Sequence, residues 1–88
     1  MEYEWDEEKS HINWRKHKID FAEIEWFDWA TALITDRSRS SDKESRFAAV
    51  GYMNGKLYTV IYTWRGNCQR IISLRRSNKN EEKAYEKN

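Results

Sequence analysis

Arginine falls in the apolar part of this chain, where sheet interiors usually carry none. Arg65 ends the run "KLYTVIYTWR", Arg46 opens "SRFAAVGYM", and Arg70, Arg75 and Arg76 surround Ile71, Ile72 and Leu74 in "QRIISLRRS". β-Branched and aromatic residues mark all three runs as strands, in which successive side chains point to opposite faces. Tyr58, Val60, Tyr62 and Trp64 then share one face, and Leu57, Thr59, Ile61, Thr63 and Arg65 the other. In the last strand Arg70, Ile72, Leu74 and Arg76 alternate against Ile71, Ser73 and Arg75. Thr and Ser mark the wetter faces. The spacing therefore predicts that Arg65 and Arg75 project from the uncovered side of a sheet. Arg46 can join them, while Ile72 and Leu74 turn inward.

A single arginine at a strand end can simply snorkel or pair with a carboxylate. The distribution of charge argues for more. Residues 1–30 hold nine acidic and four basic side chains, residues 31–77 three and nine, and residues 78–88 three of each, so the formal +1 hides a basic middle. Its acids (Asp36, Asp42 and Glu44) are too few to neutralise it. A face with two or three guanidinium forks suits phosphate, whose oxygens they bind in pairs.

RNA carries its own nucleophile, the 2′-hydroxyl, so its cleavage needs neither a metal nor a covalent intermediate. It needs a base, cations around the charged phosphorane, and a proton donor for the leaving 5′-oxygen. Arginines fill the second role. Histidine is the residue type suited to the first, which makes His17 the candidate base, although in the last turn of a polar helix it also complements the helix dipole. Tyr85 and Tyr62 are candidate donors, with packing the simpler role for Tyr62. Lys43 and Glu44 lie in the loop before the Arg46 strand.

Other chemistries find little support. Neither G-x-x-x-x-G-K nor G-x-G-x-x-G occurs, and one cysteine with His11 and His17 six apart offers no zinc spacing. Asp36, Asp42 and Glu44 lack the central glycine of a calcium loop. Cys68 alone forms no internal disulfide and fits a reducing compartment. No apolar run approaches the ~20 residues of a membrane span, and the acidic start "MEYEWDEEK" is unlike a signal peptide. The expectation is a cytoplasmic chain folding as one domain over residues 1–88, with no cofactor and no metal. Thirteen aromatic side chains help so small a core bury area.

The elements that must position these residues read as follows. "YEW" is a short strand. Asp6 N-caps a polar helix over about 7–17, whose main apolar groups are Ile12 and Trp14. In "IDFAEI", Asp20 and Glu23 have capping-box spacing and Ile19 and Ile24 that of a hydrophobic staple, which predicts a second helix over about 21–29. Phe21, Ile24 and Phe27 should face the sheet. "TALITD" is a strand and "RSRSSDKE" a polar loop or hairpin connection. Asn54-Gly55 and "RGN" turn three antiparallel strands into a meander. Asn78 and Glu81 box a closing helix of about ten residues that needs the sheet for support. The order β-α-α-β-β-β-β-α describes an α+β fold, an antiparallel sheet with two N-terminal helices packed on one face and a short C-terminal helix.

The run "WDEEKSHINWRKHKIDFAEI" resembles the opening of BrnT-type toxins, W-D-x-x-K-x-x-x-N-x-x-K-H-G-I-x-F-x-E, through Trp5, Asp6, Lys9, Asn13, Lys16, His17, Ile19, Phe21 and Glu23. Glu44, Arg46, Gly51, Arg65, Arg70, Ser73, Arg75, Arg76 and Tyr85 extend the likeness through the chain. The resemblance implies a RelE-like fold of the RelE/ParE-like superfamily. It also implies a ribonuclease toxin of a type II toxin–antitoxin pair that arrests translation. Its neutraliser would be a BrnA-type antitoxin with a ribbon-helix-helix domain, in a heterotetramer that binds operator DNA through the antitoxin. As site residues the resemblance carries Arg65 and Arg75 first, as phosphate-binding and transition-state groups. Arg46 and His17 follow, then Lys43 and Tyr85; Arg70 and Arg76 would contact RNA. Lys18 stands where the family has glycine, so a left-handed turn there would cost about 1 kcal/mol.

Two other readings fit the same residues. One is a non-catalytic member that binds the antitoxin and acts as co-repressor. The other is a RelE-fold relative with a different target, as gyrase-poisoning members have. Growth arrest on expression, rescued by a neighbouring antitoxin gene, separates the toxin readings from the binding-only one, and arrest retained in Arg75→Ala would count against the catalytic model.

Overall fold

The structure, a computed structural model, describes residues 2–41 and 43–87. Asp42, one of the acids considered for a calcium loop, lies outside them. The strand-like runs form β1 (Glu2–Glu4), β2 (Leu33–Asp36), β3 (Phe47–Met53), β4 (Lys56–Arg65) and β5 (Cys68–Arg76), joined in one sheet of order β1-β5-β4-β3-β2. β3 to β5 form the expected three-stranded antiparallel meander, and β2 extends it by pairing antiparallel with β3. Asn54 and Gly55, at φ 54° and 80°, make the tight turn between β3 and β4.

The sheet is mixed, which corrects the antiparallel expectation. β1 pairs in parallel with β5. No tight turn joins these two strands, so nothing local sets their relative direction. Between β1 and β2 runs α1 (Glu7–His17), N-capped by Asp6, whose carboxylate accepts from the Glu8 N–H.

The second correction concerns residues 21–29, which hold a 3₁₀ helix over Phe21–Trp26 rather than an α-helix. Its start is as read, with the Asp20/Glu23 capping box formed in both directions. Phe21, Ile24 and Phe27 are spaced by three, the 3₁₀ period, and all three are buried. Asp28 then diverts the backbone. Its carboxylate accepts from the Ala30 N–H and the Thr31 hydroxyl, and its own N–H donates to Tyr52 O. Gly51 permits this corner, because a Cβ there would meet the Phe27 ring at 2.7 Å.

α1 turns its polar side inward. Ser10 and Asn13 are buried, while Ile12 and Trp14 stand 44% and 47% exposed. β1 covers only the first residues of β5, so the outer edge of β5 beyond Arg70 needs other partners. Asn13 supplies them. Its Nδ2 donates to Leu74 O at 2.7 Å and to Ile19 O at 2.9 Å, and its Oδ1 accepts from Leu74 N. Ser10 accepts from the Phe21 N–H and donates to Asp20. Two side chains thus tie α1, the 3₁₀ helix and β5 together.

Lys18 keeps the left-handed turn that glycine would favour, at φ 58° and ψ 34°, with its N–H donating to Trp14 O. Its ammonium lies 5.5 Å from the Trp14 ring centre, a contact that offsets part of the strain. Lys18→Gly is expected to raise stability by about 0.5–1 kcal/mol, read as a shifted urea midpoint at unchanged slope. A loss of stability would show that the ring contact outweighs the strain.

α2 (Lys79–Glu86) closes the fold, N-capped by Asn78 with Glu81 completing the box. None of its residues is buried, so it depends on the sheet. No described helix is long and apolar enough to cross a membrane.

Candidate active site

β5 is bulged, and this gathers arginines that plain alternation would separate. Its pairing with β4 runs Thr59↔Arg75, Val60↔Leu74 and Ile61↔Ser73, then jumps to Tyr62↔Ile71, leaving Ile72 unopposed. One extra residue reverses the alternation beyond it. Arg70, expected on the Leu74 side, therefore sits opposite Thr63 on the same face as Arg65 and Arg75. Ile72, expected to turn inward, is half-buried on that face. Ile71 and Leu74, 1% and 0% exposed, fill the core instead.

A cavity of about 180 Å³ opens on this face, lined by Lys9, Lys43, Glu44, Arg46, Thr63, Arg65, Arg70 and Ile72. Five cations face one carboxylate. They come from three elements and one loop. Lys9 comes from α1, Arg65 and Arg70 from paired strands, and Lys43, Glu44 and Arg46 from the loop into β3. The Thr63 hydroxyl donates to Ser45 O, which pins that loop to β4. Arg46 is fixed through its backbone, its N–H donating to Ser38 Oγ and its carbonyl accepting from Arg37 N, both at 2.8 Å. Among the described residues its side chain has no carboxylate partner.

The other two arginines do have one. Arg65 reaches Glu44 through Nε and Nη2 at 3.3 Å, with both side chains about half exposed. Arg70 donates to Glu4 at 2.6 Å. A pair as exposed as Arg65–Glu44 is worth less than about 1 kcal/mol, so a phosphate entering the cavity can displace Glu44 from Arg65.

A second cavity of about 210 Å³ adjoins the first, lined by Lys9, Ile12, Asn13, Lys16, His17, Ile72 and Ser73. Lys9 and Ile72 line both. The sequence-predicted residues thus divide. Arg46, Arg65, Arg70 and Lys43 come together, and His17 lies in the neighbouring cavity.

Arg75, Arg76 and Tyr85 lie apart from that cluster. Arg75 shares the face but sits six residues along β4 from Arg65, roughly 20 Å at strand rise. It is also clasped from α2, its Nη1 and Nη2 donating to the two Glu81 oxygens at 2.7 and 2.8 Å. The expected neutralising shortage does not hold there. Arg76 projects with the opposite set of side chains, its guanidinium 5.5 Å from the Tyr58 ring. Tyr85 packs edge-on against Tyr52 and lines a separate cavity with Thr31, Ala32 and Leu33. Tyr62 is 2% exposed in the core, stacked on Phe47 and edge-on to Trp29, which suits packing rather than proton donation. Burial raises its pKa.

The Arg75 hydrogen bond drives the Glu81 pKa from the ordinary 4.5 down to about 2, against the opposing effect of burial, and the Asn78 N–H and Thr59 add to it. A depressed carboxylate stabilises the fold above its ordinary value, and the contribution fades as pH falls towards 2. Thermal unfolding should therefore show a stability loss between about pH 4.5 and 2 that Glu81→Gln flattens. An unchanged acid limb in the variant would mean that other carboxylates govern it.

Sequence reading missed Lys9 as a site residue. It occupies a fixed position of the opening motif, yet a lone lysine on a polar helix carries no chemical signal of its own. Its place at the junction of two cavities appears only when α1 is docked along β5.

A family model described as ribonuclease toxin, BrnT, of type II toxin–antitoxin system matches residues 5–81, nearly the whole chain. No curated protein matches it.

Proposed function

The chain belongs to the BrnT family, ribonuclease toxins of type II toxin–antitoxin systems, and we propose that it cuts RNA without a metal, in the arginine-lined cavity beside β5. Membership implies an antitoxin partner. The single observation that supports the location is the convergence of Arg46, Arg65 and Arg70 from three strands' ends on one opening of phosphate-binding character.

In this reading the scissile phosphate lies among Arg46, Arg65 and Arg70. The 2′-oxygen attacks phosphorus as its proton passes to His17 in the adjoining cavity. The bond to the 5′-oxygen breaks, and that oxygen takes a proton from an ammonium lining the cavity, Lys9 or Lys43. The products are a 2′,3′-cyclic phosphate and a 5′-hydroxyl. Guanidinium groups fixed before reaction need no reorganisation as charge builds on the phosphorane, which is where such groups gain most of their effect. Tyr85, in its separate cavity, serves the C-terminal helix rather than the leaving group. Arg75, its charge met by Glu81, holds α2 against the sheet.

The fold is placed, on the same reading, with RelE-like toxins. The partner is a BrnA-type antitoxin carrying a ribbon-helix-helix domain, assembled as a heterotetramer on operator DNA, and the toxin acts in the cytoplasm. An acidic antitoxin segment would compete with RNA for the same cations. The testing experiment incubates purified protein with RNA in EDTA, with and without ribosomes. Cleavage in either arm supports the reading, and intact RNA in both overturns it in favour of a binding-only member.

A further inference from the structure

We infer that the second cavity is the subsite for the nucleotide on the 5′ side of the cut, with Ile72 as the apolar surface against which that nucleotide lies. This rests on the ribonuclease reading and deepens it. The observation that carries it is the bulge. Without the extra residue, Ile72 would point into the core; with it, an isoleucine stands half-exposed on the cationic face. An apolar side chain among lysines and arginines gains nothing from water or from an anion. It gains from the flat apolar face of a base or the carbons of a ribose. Bulges are found beside active sites because they re-aim a side chain in this way.

The surroundings have the polarity of a nucleotide. On one side of Ile72 lies the arginine cavity, and on the other Lys16 and His17, with Ile12 adding a second apolar contact. Phosphate, nucleoside and phosphate would thus meet cation, isoleucine and cation in order. The Asn13 amide also lines this cavity, but its hydrogen bonds to Leu74 and Ile19 hold it in place and leave base recognition to other groups. Placing His17 beside the 5′-side ribose puts it next to the 2′-hydroxyl that must lose its proton. A base whose face lies on Ile72 cannot at the same time be stacked on its neighbour inside a duplex, so the substrate class is single-stranded RNA.

The test uses 2′-O-methyl dinucleotides, which cannot be cut, with and without a 5′-phosphate, titrated into the protein and followed by chemical-shift perturbation. For the wild type the 5′-phosphate should tighten binding by about tenfold, as expected of one charge-assisted contact. Lys16→Ala should erase the difference between the two ligands. Ile72→Ala should weaken both by about tenfold, within the range for loss of a base contact. Lys16 is exposed, so its variant tests the subsite even if the change at Ile72 disturbs the sheet. Equal binding of the two ligands by wild type, or a Lys16→Ala variant that keeps the difference, overturns the subsite and leaves the ribonuclease reading standing. A wild type that binds neither dinucleotide and cuts no RNA overturns both.

Discussion

Arg65→Ala is expected to lower kcat/KM for RNA cleavage by about 10²–10³-fold, the effect of removing one preorganised donor from a developing oxyanion. Arg65 ends β4, faces the cavity through two guanidinium nitrogens already set on Glu44, and is about half exposed, so its loss should leave the fold intact. Arg65→Lys should recover only part of the rate, since a lysine is a point charge without the paired donors. Arg75→Ala is the informative contrast. Resemblance alone ranks Arg75 with Arg65, whereas the structure places it roughly 20 Å along the face with both forks on Glu81. Its variant should lose stability through the stranded Glu81 carboxylate yet change kcat less than tenfold once the fraction folded is accounted for. Equal losses for the two variants would mean that α2 and β5 rearrange when RNA binds.

Asn13→Asp is the second large expected effect, and it acts on the fold. The side chain keeps its shape but replaces a donor with an anion facing Leu74 O and Ile19 O, which accept from Nδ2 at 2.7 and 2.9 Å in the wild type. At 6% exposure the new charge has little water to soften it. The Leu74 N–H still reaches one oxygen, but a buried, unpaired charge set against two carbonyls costs about 3–5 kcal/mol, most of the stability of a small domain. Urea melts at pH 7 should show the variant largely unfolded in buffer, with the gap narrowing at acid pH as the carboxyl protonates. A loss below ~1 kcal/mol would show that water, not the amide, satisfies the edge of β5.

Much of this architecture was legible in the residues. Asp6, Asp20 with Glu23, Asn54-Gly55, and Asn78 with Glu81 set boundaries through local hydrogen bonds and backbone angles, and such signals need only neighbours in sequence. The direction of β1 was not legible, because three residues carry no record of which strand they will meet. The 3₁₀ helix was half legible. The spacing of Phe21, Ile24 and Phe27 fits it, but the α-helical start signal at Asp20 says nothing of where Asp28 and the close approach at Gly51 will halt the helix.

For the site, the types of residue were readable and their grouping only in part, since Arg46 was expected beside Arg65 and Arg70 was not. Arginine, histidine and lysine pointed to phosphate chemistry from composition and position alone. The bulge at Ile72 has no signal in "QRIISLRR", yet it moves Arg70 onto the face of Arg65 and turns Ile72 outward. Alternation counted through the bulge therefore misplaces both. The masking of Arg75 by Glu81 was hidden for a related reason, since the capping role of Glu81 was evident and its second use as an ion-pair partner was not. The carboxylate serves α2 and Arg75 at once.

The most direct measurement is the chemistry of the cut ends, read on a defined RNA in EDTA beside the same RNA with a single 2′-deoxy substitution at the cleaved position. Attack by the 2′-oxygen in the arginine cavity predicts 2′,3′-cyclic phosphate and 5′-hydroxyl ends, with cleavage lost at the substituted position only. Ends bearing a 3′-hydroxyl and a 5′-phosphate, or cleavage that survives the missing 2′-hydroxyl, would contradict the account.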